Sequence, residues 1–339
     1  MRKFWQGLLV LGALLVGGLV TEVPAHAAAV GYTVQVVKPK NQDDKTVGYF
    51  ALRTHPNAQQ TLEVIVHNQT DRPQKFNVHV TQAVTNSNGI IDYSQYDPQL
   101  DPSLKVKIRD LFAKRQQTIT VPANGRVPVK VTYQMPAQRL RGCVLGGIYV
   151  IQAQPQQVKQ TKAKIRLRDI FAYAVSIRLR ESPHNVTPNL RMNRVGVAQV
   201  DRQNLVTANL QNFEPGILSG MSVQASVKAR NGLRPILQQN QKPLGMAPNS
   251  NFNFGLPWGN HNLKAGPYTL ELTAHGDGQT WHFVRNFTIT SQELRKLGPT
   301  NPTKPNNWLY LLLAVIIALL LALIAYLLYR NHQARKQQQ

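Results

Sequence analysis

The sequence predicts an all-β protein, two Ig-like β-sandwich domains in tandem followed by a single C-terminal transmembrane helix. Three observations carry this. Apolar and polar residues alternate with a two-residue period through most of the chain, clusters of Asn, Asp, Gly and Pro separate the alternating runs, and one long uncharged stretch lies near the C-terminus.

The ends are read from their apolar runs. Arg2 and Lys3 precede an apolar run from Leu8 to Val20 and then Ala25-His26-Ala27, the order of a secretory signal peptide over residues 1–27. At about 13 residues this run is too short to cross a bilayer as a helix. Trp308 to Tyr329 carries no charge and at about 22 residues is long enough, so a transmembrane helix is predicted over 308–329. Trp308, Tyr310, Tyr326 and Tyr329 suit its interfaces, and Arg330, Arg335 and Lys336 make 330–339 a basic tail expected on the cytoplasmic side. No Leu-Pro-x-Thr-Gly motif precedes the helix, so membrane anchoring is expected rather than covalent sorting to the wall.

Between these ends the strands can be placed one by one. Leu62, Val64 and Val66 point one way; Phe76, Val78 and Val80 alternate with Asn77, His79 and Thr81; and the turn-rich Asn68–Pro73 between them predicts a hairpin. Val127, Val129, Val131 and Tyr133 share a face after the turn Pro122–Gly125. The stretch from Gln152 to Lys164 is polar and free of any core-forming run, which predicts a domain boundary dividing 30–157 from 158–298. Beyond it, Ile165, Leu167, Phe171, Tyr173, Val175, Ile177 and Leu179 alternate with Lys164, Arg166, Arg168, Arg178 and Arg180, giving one core face and one basic face. Val206 to Leu210, Met221 to Ala229, Tyr268 to Leu272 and Trp281 to Ile289 predict the second sandwich, and a Pro-rich spacer over 299–307 follows it.

The formal net charge is +23, and most of it stays with the ectodomain, because only Arg2, Lys3, Arg330, Arg335, Lys336 and Glu22 fall outside. For an exported protein that balance suits teichoic acids, muropeptide carboxylates and acidic surface proteins, and nucleic acid is not expected. Cys143 is the only cysteine, which excludes an intramolecular disulfide, and its apolar Gly-rich setting reads as that of a small buried hydrophobe. No Gly-x-Ser-x-Gly, His-Glu-x-x-His or Cys-x-x-Cys occurs. No catalytic residue, cofactor or metal site is therefore predicted, and the protein is not expected to be an enzyme. Asp92, Asp97 and Asp101 lie in a turn-rich loop where Asp commonly caps backbone, with calcium binding left open.

Two groups of residues are candidates for binding. Asn86, Asn88, Asp92, Tyr93 and Tyr96 form a polar loop with aromatics, able to stack on sugars and hydrogen-bond their hydroxyls, or kept for its Asn-Gly turn alone. Phe252, Phe254 and Trp258 fall in a loop-rich stretch, where they either anchor an interface or plug the sandwich.

Several blocks taken together resemble the WxL-interacting protein family of bacterial surface proteins. In the first half they are Gly48-Tyr49-Phe50, Gln60-Thr61-Leu62-Glu63-Val64, Thr85-Asn86-Ser87-Asn88-Gly89-Ile90-Ile91-Asp92-Tyr93 and Leu145-Gly146-Gly147-Ile148. In the second half they are Ala247-Pro248-Asn249-Ser250 with Phe252 and Phe254, Leu263-Lys264-Ala265-Gly266-Pro267-Tyr268, and Trp281 with Phe287-Thr288-Ile289. Cys143 and Pro267 are small departures from the pattern. The resemblance implies a non-enzymatic adaptor at a Gram-positive-type cell surface, single-pass in the cell membrane with its ectodomain facing the wall. Its first domain would contact peptidoglycan, through Asn86, Asn88, Asp92, Tyr93 and Tyr96, and its second would dock a WxL-domain surface protein, through Phe252, Phe254 and Trp258. The alternative is a surface adhesin or a general polyanion binder, with teichoic acid as ligand.

Overall fold

The computed structural model describes residues 31–153, 171–259, 263–297 and 308–336. The expected signal peptide, nearly all of the polar connector after Gln152, the spacer at 299–307 and the last three tail residues lie outside the described residues.

The first sandwich is built from β1 (Tyr32–Val37), β2 (Phe50–Arg53), β3 (Gln59–Asn68), β4 (Gln74–Gln82), β7 (Gln116–Val121), β8 (Arg126–Gln134), β9 (Cys143–Gln152) and β10 (Ala172–Arg180). A small hairpin, β5 (Val84–Thr85) with β6 (Ile91–Asp92), projects from it. Sheet β1-β3-β8 packs on sheet β2-β10-β9-β4-β7. The alternating residues read from the sequence fill the space between, with Leu62, Val64 and Val66 from one sheet meeting Phe76, Val78 and Val80 from the other.

That packing overturns the hairpin expected from β3 and β4. Strand β3 pairs with β1 and β8, whereas β4 pairs with β7 and β9, so the two runs lie in opposite sheets and share a core rather than a ladder. The corner between them is held by Asn68, which is fully buried. Its amide donates to the carbonyls of Arg72 at 2.8 Å and Pro122 at 2.9 Å, while its Oδ1 accepts from the backbone and hydroxyl of Thr70. A side chain thus satisfies backbone groups that a two-residue hairpin would have paired.

Strand β10 belongs to the first sandwich, although it lies beyond the boundary expected at 157/158. It runs antiparallel to β9, from Ala172 opposite Ile151 to Arg180 opposite Cys143, and parallel to β2, with Ile177 opposite Phe50. Val175, Ile177 and Leu179 enter the first core as the alternation predicts. Polar composition marks chain that leaves a core, and a long connection inside one sheet carries the same signal as an interdomain linker. The parallel pairing sets Arg180 beside Arg53, and Asp43 accepts from both guanidiniums, at 2.7 Å for Arg53. Burial pushes the Asp43 carboxyl pKa up, but the hydrogen bonds from Arg53 and Arg180 outweigh it and hold the group below its ordinary value.

The paired glycines of β9 are required by their neighbours. A Cβ on Gly146 would stand 2.3 Å from a methyl of Ile108 and 2.4 Å from the Thr81 carbonyl, and one on Gly147 would meet the Tyr93 ring at 3.1 Å. The bare backbone lets Ile108 into the core on one side and lets Tyr93 lie flat against the other.

The second sandwich contains β11 (Leu190–Val200), β12 (Gln203–Asn212), β13 (Leu218–Ala229), β14 (Leu237–Met246), β15 (Ser250–Pro257), β16 (Gly266–Gly276) and β17 (Gln279–Ile289). Sheet β11-β12-β15 packs on β14-β13-β16-β17, burying the predicted Val206, Leu210, Val223, Leu272 and Trp281.

A polar seam joins the two sandwiches. Asp101, only 5% exposed, accepts from Gln211 Nε2 at 2.6 Å and Asn251 Nδ2 at 2.5 Å. Thr85 and Ser250 share a 2.6 Å hydroxyl contact, the Cys143 amide donates to the Pro215 carbonyl, and Arg141 pairs with Glu214 at 2.8 Å. Ala83, Leu145 and Ala247 fill the space among these polar contacts.

After β17, a short helix at Ser291–Lys296 is started by a capping box between Thr290 and Glu293. The C-terminal helix runs from Trp308 to Lys336, past the predicted end at 329 and into the basic tail. Its segment Leu312–Arg330 has a mean hydropathy of 2.9 and no part of it buried, which makes it a candidate membrane span.

The position of β10 makes a sharp prediction. A chain ending after Gln152 loses an interior strand and leaves two bare sheet edges, so it is expected to aggregate without a cooperative melt. A chain ending after Pro183 is expected to melt cooperatively. Circular dichroism melts of the two fragments check this.

Candidate functional site

The outer face of the five-stranded sheet carries an aromatic cluster. Alternation along β4 turns His79 outward, and the β4–β9 register places Tyr149 directly opposite it. The loop after β6 lays Tyr96 over both. Its ring centroid is 4.2 Å from that of His79 and 5.9 Å from that of Tyr149, the latter edge-on. Tyr96 is still 52% exposed, so one ring face is free to meet a ligand. A shallow groove continues past it, lined by Asp97, Arg109, Arg115 and Gln116. Arg109 Nη1 donates to Asp97 Oδ1 at 2.5 Å, but with the Asp97 side chain 86% exposed this pair contributes less than about 1 kcal/mol and is open to exchange for another carboxylate. Arg115 is exposed beside it. An aromatic platform flanked by guanidiniums can stack on the apolar face of a sugar ring while pairing with an acidic substituent.

The five residues picked from the loop are not brought together. Only Tyr96 lies on this face with its ring available. Tyr93 is held flat against Gly147, its hydroxyl accepting from Ser176 at 3.2 Å. Asp92 spends its carboxylate on Ser94 and Gln95. Asn86 accepts from the amides of Asn88 and Ile90, closing a turn with Gly89 at a φ of 69°. The tip of that turn meets the second sandwich: the Gly89 carbonyl accepts from Gly245 at 2.8 Å and the Asn88 carbonyl from Gln241 at 3.3 Å. Asn86 and Asn88 therefore serve turn chemistry at the domain seam.

Phe252, Phe254 and Trp258 are corrected in the same way. They are 5%, 1% and 8% exposed and belong to the second core, since Phe252 and Phe254 lie on the inner face of strand β15 and Trp258, the residue just after it, packs into the same core. The three acids do not converge either. Asp92 caps its own turn, Asp97 pairs with Arg109 and Asp101 bridges the seam, and no cluster able to hold a metal ion occurs among the described residues. Cys143 sits at the seam, where burial pushes its thiol pKa up to about 11 and leaves it in the unreactive protonated form.

His79, Tyr149, Arg109 and Arg115 were missed by reading the sequence. Alternation shows that the first two point outward, but which outward residues become neighbours depends on register between strands some 70 positions apart. Burial holds the His79 imidazole below its ordinary pKa of 6.5, so the folded protein resists the proton that the unfolded chain takes up. Stability from this group is complete above about pH 6.5 and is lost as pH falls below it. The loss of thermal midpoint between about pH 7.5 and pH 5.5 is therefore expected to be smaller in His79→Gln than in the native protein, as calorimetry of the pair would measure.

Family models match the chain in two consecutive segments that meet within the connector before β10, although strand pairing places β10 itself in the first sandwich. Residues 32–152 match the family model described as WxL Interacting Protein, peptidoglycan binding domain, and residues 162–298 match WxL Interacting Protein, host binding domain. No curated protein sequence gives a significant match. Among solved structures, a chain of a chaperone–tip adhesin complex of CFA/I fimbriae biogenesis is 10% identical, covering 75% of this chain and 97% of its own at a TM-score of 0.30. The YadV chaperone is 13% identical, covering 76% and 100% at a TM-score of 0.29. Both scores are too low to argue from. Both matched families are binding domains rather than enzymes, and together they span most of the chain in the expected order. The chain belongs to the WxL Interacting Protein family, with a peptidoglycan-binding domain followed by a host-binding domain.

Proposed function

We propose that this protein is a membrane-anchored adaptor that grips peptidoglycan with the aromatic face of its first sandwich and docks a WxL-domain surface protein on its second. The C-terminal helix spans the cell membrane with the basic tail inside and both sandwiches facing the wall. The observation that carries the first half is the half-exposed Tyr96 ring, packed against His79 and the edge of Tyr149 beside Arg109 and Arg115. Peptidoglycan offers both complements, sugar rings with apolar faces and peptide stems with carboxylates.

For the second half, the core position of Phe252, Phe254 and Trp258 moves the candidate surface to the outer face of sheet β11-β12-β15. There the amides of Asn193, Asn209, Asn251 and Asn253 bond to one another across the strands, a polar ladder beside a cleft walled by the 95–104 loop of the first sandwich, with lone pairs left for a partner. A general polyanion binder is the second reading, favoured by the formal charge of +23.

Cosedimentation with purified peptidoglycan separates the readings. Tyr96→Ala is expected to keep the native thermal midpoint and to weaken retention roughly tenfold, about 1.4 kcal/mol. Equal retention of the variant, or loss of all binding in moderate salt, favours the polyanion reading. For the docking half, immobilised protein is expected to capture a purified WxL-domain protein, and Asn209→Arg to reduce that capture while peptidoglycan retention stays unchanged. Failure of capture by the native protein removes the docking half alone.

A further inference from the structure

The end of the second sandwich from which the chain leaves toward the C-terminal helix has a surface of its own. The registers identify that end. Ala229 lies opposite Tyr268 and Tyr268 opposite Phe287, so the β13–β14 loop, the start of β16 and the end of β17 sit together. The other sheet runs with them: Trp281 bonds to Asn189 and Arg285 to the Met192 carbonyl, so β11 and β17 travel in the same direction and the turn after Val200 reaches the same end as Ile289. The first sandwich contacts the opposite end, through Pro215, Gly245 and Asn249.

This end is basic and carries exposed apolar tips. Arg202, Arg230, Arg234, Lys264, Arg295 and Lys296 are all exposed on its turns and on the short helix, against the acids Asp201 and Glu293. Glu293 is already engaged by Thr290 in the capping box. Arg230, Arg234, Lys264 and Arg295 have no ion-pair partner among the described residues. Leu233, at the tip of the β13–β14 loop between Arg230 and Arg234, is 97% exposed, and Val200 beside Arg202 is 43% exposed. A leucine wholly in water between two arginines is an arrangement that suits a lipid interface, where the apolar group enters and the cations meet phosphate.

We propose that this end of the second sandwich rests on the anionic phospholipid surface of the membrane, with Leu233 inserted among the headgroups and the surrounding arginines and lysines paired to lipid phosphates. The proposal rests on reading the C-terminal helix as a membrane span. Tether length supports it, since the residues 298–307 between the short helix and Trp308 reach no more than about 40 Å even fully extended. The contact holds the two seamed sandwiches in one orientation above the bilayer, presenting the first of them outward.

The test uses the full chain in lipid nanodiscs, of phosphatidylcholine alone or with about one third phosphatidylglycerol, read by amide hydrogen exchange. Amides at 230–236 are expected to exchange at least about fivefold more slowly in the anionic discs. The double variant Arg230→Glu/Arg234→Glu is expected to return them to the rate seen in phosphatidylcholine, and Leu233→Ser to lose part of the protection with the charge unchanged. Equal exchange in both lipids, while amides of 312–330 stay protected, overturns the proposal and leaves the span intact. Free exchange at 312–330 in both lipids overturns the span reading, and the proposal with it.

Discussion

Insertion of β10 between β2 and β9 is the constraint on which the rest of the architecture depends. Without it the first sandwich has a split sheet, and Val175, Ile177 and Leu179 are missing from its core. Its parallel pairing with β2 brings two arginines side by side, a repulsion that the nearly buried Asp43 converts into a three-residue ionic clamp. Because β10 ends at Arg180 and β11 begins at Leu190, the chain passes from one core to the next in nine residues, which keeps the two sandwiches near enough for their seam to form.

The contact that results is mainly polar. Buried polar groups are tolerated only when their partners are present, and here each half supplies what the other lacks: Asp101 takes two amides, Thr85 meets Ser250, and the Cys143 amide finds the Pro215 carbonyl. For Asp101, burial raises the carboxyl pKa, while hydrogen bonds from Ser103, Asn251 and Gln211 outweigh it and keep the group ionised. A seam of this kind fixes orientation more than it adds stability, because separating the sandwiches returns the same groups to water. For an adaptor the gain is geometric. The aromatic face of the first sandwich and the amide ladder of the second are held at a constant relation to one another.

Charge is distributed with the same economy. Among the described residues Asp101 is the one buried charged side chain and it is hydrogen-bonded to amides and a hydroxyl, whereas most of the cations that make up the net charge lie on outer faces and at turn tips. The excess charge is thus placed on surfaces open to polyanions.

Much of the fold was legible without coordinates, for reasons that are local. Alternation with a period of two depends only on which side of a strand each residue takes, so the core residues from Leu62 to Val80 and from Val206 to Ile289 could be named, along with the apolar C-terminal helix. What residues far apart in sequence do together was not legible. Strand β3 faces β4 across the core instead of pairing with it, β10 returns to the first sheet, and His79 and Tyr149 become neighbours only through the β4–β9 register. Loop chemistry misled for the same reason. Asn86, Asn88 and Asp92 have the composition of a binding loop, but the bonds of Asn86 and Asn88 close a turn against the other domain and Asp92 caps a turn of its own, while Phe252, Phe254 and Trp258 look like loop anchors until β15 and the residue after it turn them inward. Sequence by itself determined which faces are apolar and which end of the chain is membrane-like. Only the tertiary structure decided which of the outward residues meet, because strand pairing and domain contact are set by long-range packing that no local pattern encodes.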